Sequence, residues 1–332
     1  MKNPIFLYLM LCSFALVHAQ TKKADSLKAV LQHTKNDIDK AQTLNALADE
    51  YKTIGPKPMQ VYAAQALALS QKIQYKLAEG NAQLHLGNAA IILGNYTQAL
   101  QHFVSAQNIF ENETQSNPKD KIATQRGLAK AYGSIGIVFA EQSNYAKGLQ
   151  YHLKSVKIYE AINDSKKCAQ VYNNIGVAYQ AQSDHFKALE YFLKAQKMLE
   201  KVGDPNIGIT LTNIANCYLK QKNSEKAYEY YTKAKSKIDK YPDARALGEW
   251  YNNVGLYYLN SNNQQQAIES WNQAIQTFAK IDDKFGVADT QLYLGQLYLD
   301  QKNTTAALSS ANKALALAKQ IGVLEQIVVA EK

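Results

Sequence analysis

The feature that most constrains this chain is a repeat with a period of about 40 residues. In each copy an apolar residue is followed by a small one. Twelve, sixteen and nineteen residues later come a small, a usually aromatic and another small residue. The small residues that open the pattern are Gly87, Gly136, Gly176, Ala215, Gly255 and Gly295. Self-similarity at this period is typical of a solenoid, and solenoids mostly provide long binding surfaces. Binding is therefore the expected kind of function.

The spacing within each copy predicts two helices. The apolar, small and aromatic positions recur three and four residues apart, which places them on one face of a helix. Polar pairs such as Ser143-Asn144 and Lys222-Asn223 stand between the two halves and are typical of a turn. Small residues allow two helices to cross closely, and aromatic side chains fill the wider gaps. Each copy is therefore predicted to be a helical hairpin.

This pattern resembles that of the tetratricopeptide repeat superfamily. The segment Tyr172–Tyr179, followed by Ala188, Phe192 and Ala195, is close to the family pattern, and the resemblance covers about residues 37–332. It implies an all-α fold, a right-handed α-solenoid or superhelix of about seven antiparallel helix hairpins. The period exceeds the family's usual 34 residues, which lengthens each helix to ~16–17 residues. Such long repeats resemble those of bacterial exported proteins and of sensor regions in signalling proteins.

The N-terminus predicts export. Lys2 precedes an apolar run from Ile5 to Val17, which is too short to span a bilayer, and a small residue follows at Ala19. We therefore predict a secretory signal peptide at residues 1–19, cleavage near Ala19, and a periplasmic or secreted protein. The remaining residues, 20–332, form the solenoid. Its parts are a weaker first repeat at 37–75, repeats near 80–110, 129–160, 169–201, 208–238, 248–280 and 288–320, and an incomplete helix at 322–332.

No motif for catalysis, metal binding or cofactor binding is found in the sequence. Glycine-rich phosphate loops, His-Glu-x-x-His, Cys-x-x-Cys and Gly-x-Ser-x-Gly are all missing. The histidines occupy different phases of different repeats, which argues against a shared metal site. We expect neither an enzyme nor a bound cofactor. Nucleic acid is not an expected partner, since an exported chain without arginine clusters lacks the usual electrostatic footprint.

A series of in-phase asparagines provides the candidate binding residues. Asparagine is a mediocre helix former, so its recurrence in the middle of helices requires a reason. In tetratricopeptide domains this phase lines the concave groove, and its asparagines often clamp the backbone of an extended peptide. By this resemblance the peptide-binding residues are His85, Asn88, Asn173, Asn174, Asn213, Asn216, Asn252 and Asn253. The alternative is that these amides bond a neighbouring repeat or face water.

Lysines form two further in-phase columns on the second helices of three repeats. They are Lys147, Lys187 and Lys226, and seven residues later Lys154, Lys194 and Lys233. With a net charge of +9, they predict a weak contact with an anionic surface. The alternative is a solvated face, which the i,i+4 order of Glu190 and Lys194 favours.

The leading functional prediction is an exported protein–protein interaction scaffold that binds a peptide or protein segment in its concave groove. The alternative is a periplasmic sensor region of a histidine kinase or transcriptional regulator whose output domain is missing from this chain. The incomplete last helix carries Leu324, Ile327 and Val328 as uncovered apolar positions. A solenoid end of this kind predicts self-association.

Overall fold

The structure, a computed structural model, describes residues 22–53, 55–116, 120–321 and 329–330. The predicted signal peptide lies outside these residues, as does most of the predicted incomplete helix at 322–332. Helix α1 covers residues 22–33. The others are α2 Asp37–Glu50, α3 Pro56–Lys72, α4 Lys76–Ile92, α5 Tyr96–Ser116, α6 Lys121–Glu141, α7 Tyr145–Ala161, α8 Ser165–Ala181, α9 His185–Val202, α10 Ile207–Lys220, α11 Ser224–Lys240, α12 Ala244–Asn260, α13 Gln264–Lys280, α14 Lys284–Asp300 and α15 Thr304–Ile321.

These helices pair into hairpins within two compact units, and the boundary between the units in the sequence falls between Asn163 and Asp164. The first unit contains the hairpins α2/α3, α4/α5 and α6/α7, and the second contains α8/α9, α10/α11, α12/α13 and α14/α15. Strands are absent from the described ranges. The predicted all-α solenoid of antiparallel hairpins is confirmed. No helix in this part of the chain is both long and apolar enough to cross a membrane.

The polar pairs between helices end one helix and begin the next. Lys222 adopts the left-handed backbone conformation with φ of 61°, and Ser143 does so with φ of 58°. The next residue then caps the following helix: the side chain of Asn223 accepts a hydrogen bond from the backbone N–H of Lys226 at 3.1 Å. Such a cap contributes about 1 kcal/mol to helix stability. The first residue of each polar pair therefore adopts the left-handed conformation that ends one helix, and the second residue caps the next helix.

In the four hairpins α4/α5, α6/α7, α8/α9 and α12/α13, a ring of the second helix lies directly on a glycine of the first helix. A Cβ atom added at Gly176 would lie 2.5 Å from Cε1 of Phe192, and Gly87 has the same relation to Phe103. At Gly136 the ring is that of His152, 2.7 Å from such an atom. These separations are too short for any side chain, so the small residues lie at the helix crossing, as predicted.

Replacing Gly176 with leucine is therefore expected to lower the free energy of unfolding by about 1–3 kcal/mol. The added side chain would have to displace the buried ring of Phe192. Urea unfolding followed by circular dichroism measures the loss. Val177→Leu is the matched control, because this neighbouring residue on the same helix is exposed. Equal stability of the Gly176 variant and the parent would place the crossing elsewhere.

Candidate functional site

The predicted peptide-binding residues lie on first helices of hairpins in both units. Six of them belong to the second unit, on α8, α10 and α12, and the other two, His85 and Asn88, lie on α4 in the first unit. We call the surface of α8, α10, α12 and α14 that carries the asparagine phase the first-helix face. The six amides on it fall into three groups with different hydrogen-bonding environments.

Three of the six asparagines connect neighbouring first helices. The side-chain oxygen of Asn173 accepts hydrogen bonds from Thr210 Oγ1 and Asn213 Nδ2, both at 3.3 Å. The amide of Asn252 donates to the Asp289 carboxylate at 3.2 Å. The three hydrogen bonds join residues of neighbouring repeats that are 37 or 40 positions apart in sequence. Asn173, Asn213 and Asn252 thus stabilise the stacking of hairpins.

Two further asparagines bond within their own hairpins. Asn216 accepts a hydrogen bond from the hydroxyl of Tyr231 at 2.5 Å, and Tyr231 is buried. Asn253 donates to the backbone oxygen of Glu249, one turn earlier, at 2.7 Å. A buried hydroxyl needs such a partner. The role of Asn216 is therefore at least partly structural.

Asn174 differs, because its amide borders an open cavity and makes no hydrogen bond to the described chain. The cavity holds about 330 Å³ and lies between α8 and α10, beside the segment that connects α9 to α10. Its apolar walls come from Ala169, Leu199 and Ile209. The polar lining residues are Gln170, Asn173, Asn174, Asp204, Asn206 and Thr210. Apolar walls with amides beside them suit a ligand that is held mainly by shape complementarity and hydrogen bonds.

The one carboxylate of this cavity is already paired. Asp204 is buried, and its side chain accepts from Lys166 Nζ at 2.8 Å and from the backbone N–H of Asn206 at 2.8 Å. Burial acts to raise the pKa of Asp204, but these hydrogen bonds together hold the pKa below its usual value. The carboxylate is thus ionised and neutralised, and it leaves the cavity without a net charge for a ligand.

Sequence reasoning overlooked several of these residues. Gln170 stands one helical turn before Asn174 and shares its face, so the same periodicity could have identified it. Asp204 and Asn206 belong to the connection before α10, where no periodic signal exists. Only the fold brings them beside α8.

In the first unit, His85 and Asn88 lie on the corresponding phase of α4. Burial lowers the pKa of His85 to about 4, and its Nδ1 atom has no hydrogen-bond partner among the described residues. The ring is therefore neutral near pH 7. Asn88 is half-buried on the same helix. Neither residue supplies a charge for an ionic ligand.

The six lysines of the two columns lie over aromatic rings. Their Nζ atoms are 4.3 to 5.9 Å from ring centroids, and Lys147 over Phe139 is the shortest of these contacts. Lys194 and Lys233 also pair with Glu190 and Glu229. Cation–π contacts account for the periodicity of the columns without an external anion. Contact with an anionic surface stays a prediction.

The described ranges hold no group of three or more side chains suited to a metal ion. Cys168 and Cys217 are both buried. Burial raises the pKa of the Cys217 thiol to about 12. Because the thiolate is the nucleophile, this thiol is unreactive at neutral pH.

Comparisons with known proteins agree with this architecture. Residues 127–201 and 206–280 match the family model described as tetratricopeptide repeat. No curated protein matches the chain.

Several solved structures share the fold. The apo form of RapI is 16% identical, with a TM-score of 0.67 over 80% of this chain and 93% of that one. The Rap conjugation gene regulator of plasmid pLS20, in complex with the Phr* peptide, is 14% identical, with a TM-score of 0.64 over 90% and 80%. NprR in complex with its cognate peptide NprX is 16% identical, with a TM-score of 0.60 over 94% and 82%. At these identities the likeness is one of fold.

Proposed function

We propose that this chain, which belongs to the tetratricopeptide repeat superfamily, is an exported scaffold that binds an extended peptide segment on its first-helix face. The binding point is the cavity between α8 and α10. The observation that carries this proposal is the unengaged amide of Asn174 beside a cavity of about 330 Å³ with apolar walls. The role is one of binding rather than catalysis.

An amide beside an apolar cavity fits a peptide for two reasons. The side chain of Asn174 offers a donor and an acceptor together, which matches one peptide group of an extended backbone. The space between Leu199 and Ile209 then receives an apolar side chain of the same peptide. Because Asp204 is already neutralised by Lys166, the cavity favours an uncharged side chain.

The neighbouring hydrogen bonds favour binding by holding the site in one arrangement. Asn173 is held by Thr210 and Asn213, so the amide beside Asn174 is fixed before a ligand arrives. Ordering side chains in advance reduces the entropic cost of binding. Among proteins of the same fold, the pLS20 regulator and NprR are described in complex with peptides, which supports a peptide as the ligand class.

Export is part of the proposal and rests on the apolar run from Ile5 to Val17. The second candidate function is a periplasmic sensor region of a larger signalling protein. One of the proteins with the same fold is described as a conjugation gene regulator, and this description supports the second candidate function. Both functions use the same peptide site. They differ in whether peptide binding alters an attached output domain.

Replacing Asn174 with alanine is expected to weaken peptide binding by about 0.5–1.5 kcal/mol, because one hydrogen bond to the ligand is lost. Thermal stability should hardly change, since alanine is the better helix former. Peptides are selected from a random library displayed on phage against residues 20–332. The strongest binder is then titrated by calorimetry into the parent and the variant.

Asn173→Ala is the matched control on the preceding residue. It removes the acceptor of Thr210 and Asn213, so it should lower the melting temperature as well. A library that yields no binder, or an Asn174 variant with unchanged affinity, would contradict the proposed site.

A further inference from the structure

Three aromatic side chains form a recurrent cluster within the hairpins. In α8/α9 they are Tyr172, Tyr179 and Tyr191, which stand four residues before, three after and fifteen after Gly176. The ring of Tyr191 stacks on Tyr179 with centroids 5.5 Å apart and an interplanar angle of 16°. It also lies 5.9 Å from Tyr172. The second-helix tyrosine thus completes a packed group that we call the ring triad.

Tyrosine also occupies the second-helix position in two other hairpins, and in α10/α11 Leu211 replaces the first ring of the triad. In α6/α7 the second-helix ring is Tyr151, stacked on Phe139 at 5.7 Å. In α10/α11 it is Tyr230, 5.5 Å from Tyr218. Two lysines of the columns described above lie over the rings of each of these groups.

The hairpin α12/α13 keeps two rings of the triad and lacks the third. Tyr251 and Tyr258 occupy the first-helix positions, but Ser270 stands where α7, α9 and α11 have tyrosine. Both lysine positions are changed as well, to Gln266 and Gln273. All five residues line a cavity of about 460 Å³. The space that a tyrosine side chain fills elsewhere is therefore open in this hairpin.

A second cavity adjoins this opening. It holds about 220 Å³ between α11 and α12 and shares Trp250, Val254 and Tyr258 with the first. At its edge Tyr228 is 56% exposed, with its ring 5.8 Å from that of Tyr257. Aromatic surface thus continues from one cavity to the next.

We propose that the opening in α12/α13 is a docking site for an aromatic side chain carried by a segment of a partner protein. The chain's own Tyr191 shows which occupant the space fits, because that ring packs against the equivalent two tyrosines, Tyr172 and Tyr179, in α8/α9. Offset-stacked rings are a favourable arrangement for aromatic pairs. Glutamine in place of both lysines removes the cations that cover the other triads. The entering ring therefore meets uncharged amides at Gln266 and Gln273, and the carboxylate of Glu269 in the same lining already accepts a hydrogen bond from Gln265 Nε2 at 2.8 Å.

This site is independent of the peptide site proposed above. It uses the surface of α12 that faces its own second helix, whereas Asn174 and its cavity lie between α8 and α10. Failure of one proposal therefore leaves the other standing.

The probe for the test is p-cresol, which is the side chain of tyrosine as a free molecule. The chain contains two tryptophans, so its two indole N–H signals are readily followed in a nitrogen-15 spectrum and assigned with Trp250→Phe. Addition of p-cresol to residues 20–332 should shift the signal of Trp250, which lines the cavity. The signal of Trp271, which is fully buried, should move less.

Ser270→Tyr restores the missing ring and is expected to weaken p-cresol binding at least tenfold while raising the melting temperature. Ser309→Tyr is the matched control: it adds the same side chain at an exposed position of α15 and should bind p-cresol like the parent. The converse variant, Tyr191→Ser, should open an equivalent space in α8/α9 and gain a second p-cresol site.

Three results would overturn the proposal. The first is a parent protein whose Trp250 signal does not respond to p-cresol up to its solubility limit. The second is undiminished p-cresol binding by Ser270→Tyr. The third is a shift of the Trp250 signal by methyl β-glucopyranoside but not by p-cresol, which would assign the opening to a sugar ring.

Discussion

Replacing Phe192 with alanine is expected to lower the free energy of unfolding by about 3–5 kcal/mol. Phe192 is fully buried, and its ring covers Gly176 so closely that no side chain fits between them. Glycine has no side chain that could move into the space, so the cavity left by the ring would stay open. The cost therefore includes both the lost burial of the ring and the cavity. Urea unfolding followed by circular dichroism measures it.

Phe186→Ala is the matched control on the same helix. Phe186 is 76% exposed, so this variant should stay within about 0.5 kcal/mol of the parent. Similar losses for both phenylalanines would mean that ring burial does not stabilise this hairpin.

His152→Phe is expected to remove much of the acid sensitivity of the protein. His152 occupies the position of Phe192 in its own hairpin, 1% exposed, with its ring on Gly136. Its Nδ1 atom has no hydrogen-bond partner in the described part of the chain. Burial lowers the pKa of the ring from 6.5 to about 4. The folded protein thus keeps this histidine neutral in a pH range where the unfolded chain binds a proton.

The sign of the effect follows from proton binding. Between pH 6.5 and about 4 the unfolded state holds more protons at His152, so the free energy of unfolding falls as the pH is lowered through this range. The loss between pH 7.5 and pH 5 amounts to about 2 kcal/mol from this one group. Above pH 6.5 the contribution is constant. Phenylalanine does not titrate, so the variant should lose about 2 kcal/mol less than the parent over the same interval.

The measurement is urea unfolding at several pH values. His33→Phe, at an exposed position of α1, is the control and should follow the parent. Some acid sensitivity should persist in the His152 variant, because burial also lowers the pKa of His85. Identical pH profiles for the His152 variant and the parent would show that this ring is already protonated in the folded protein.

The hairpins and their crossings were predictable because they depend on local regularities. An α-helix repeats every 3.6 residues, so the buried helix faces that carry Gly176 and Phe192 can be identified from the residues within a few helical turns of each. The predicted helix length of ~16–17 residues agrees with the 17 residues of α8 and α13. His152 was likewise recognisable as a substitute for the aromatic packing residue, since it shares the phase of Phe192.

The roles of the polar side chains were beyond such reasoning. Asn173 and Asn174 are adjacent and equally suggestive in the sequence, yet Asn173 bonds Thr210, 37 residues away, and Asn174 borders a cavity. An amide's partner depends on which side chains the packing of neighbouring repeats brings within about 3 Å, and periodicity carries no such information. The same holds for Ser270, although its position within the repeat can be assigned from the sequence alone. That its small side chain leaves an open space became visible only once Tyr251 and Tyr258 were placed beside it.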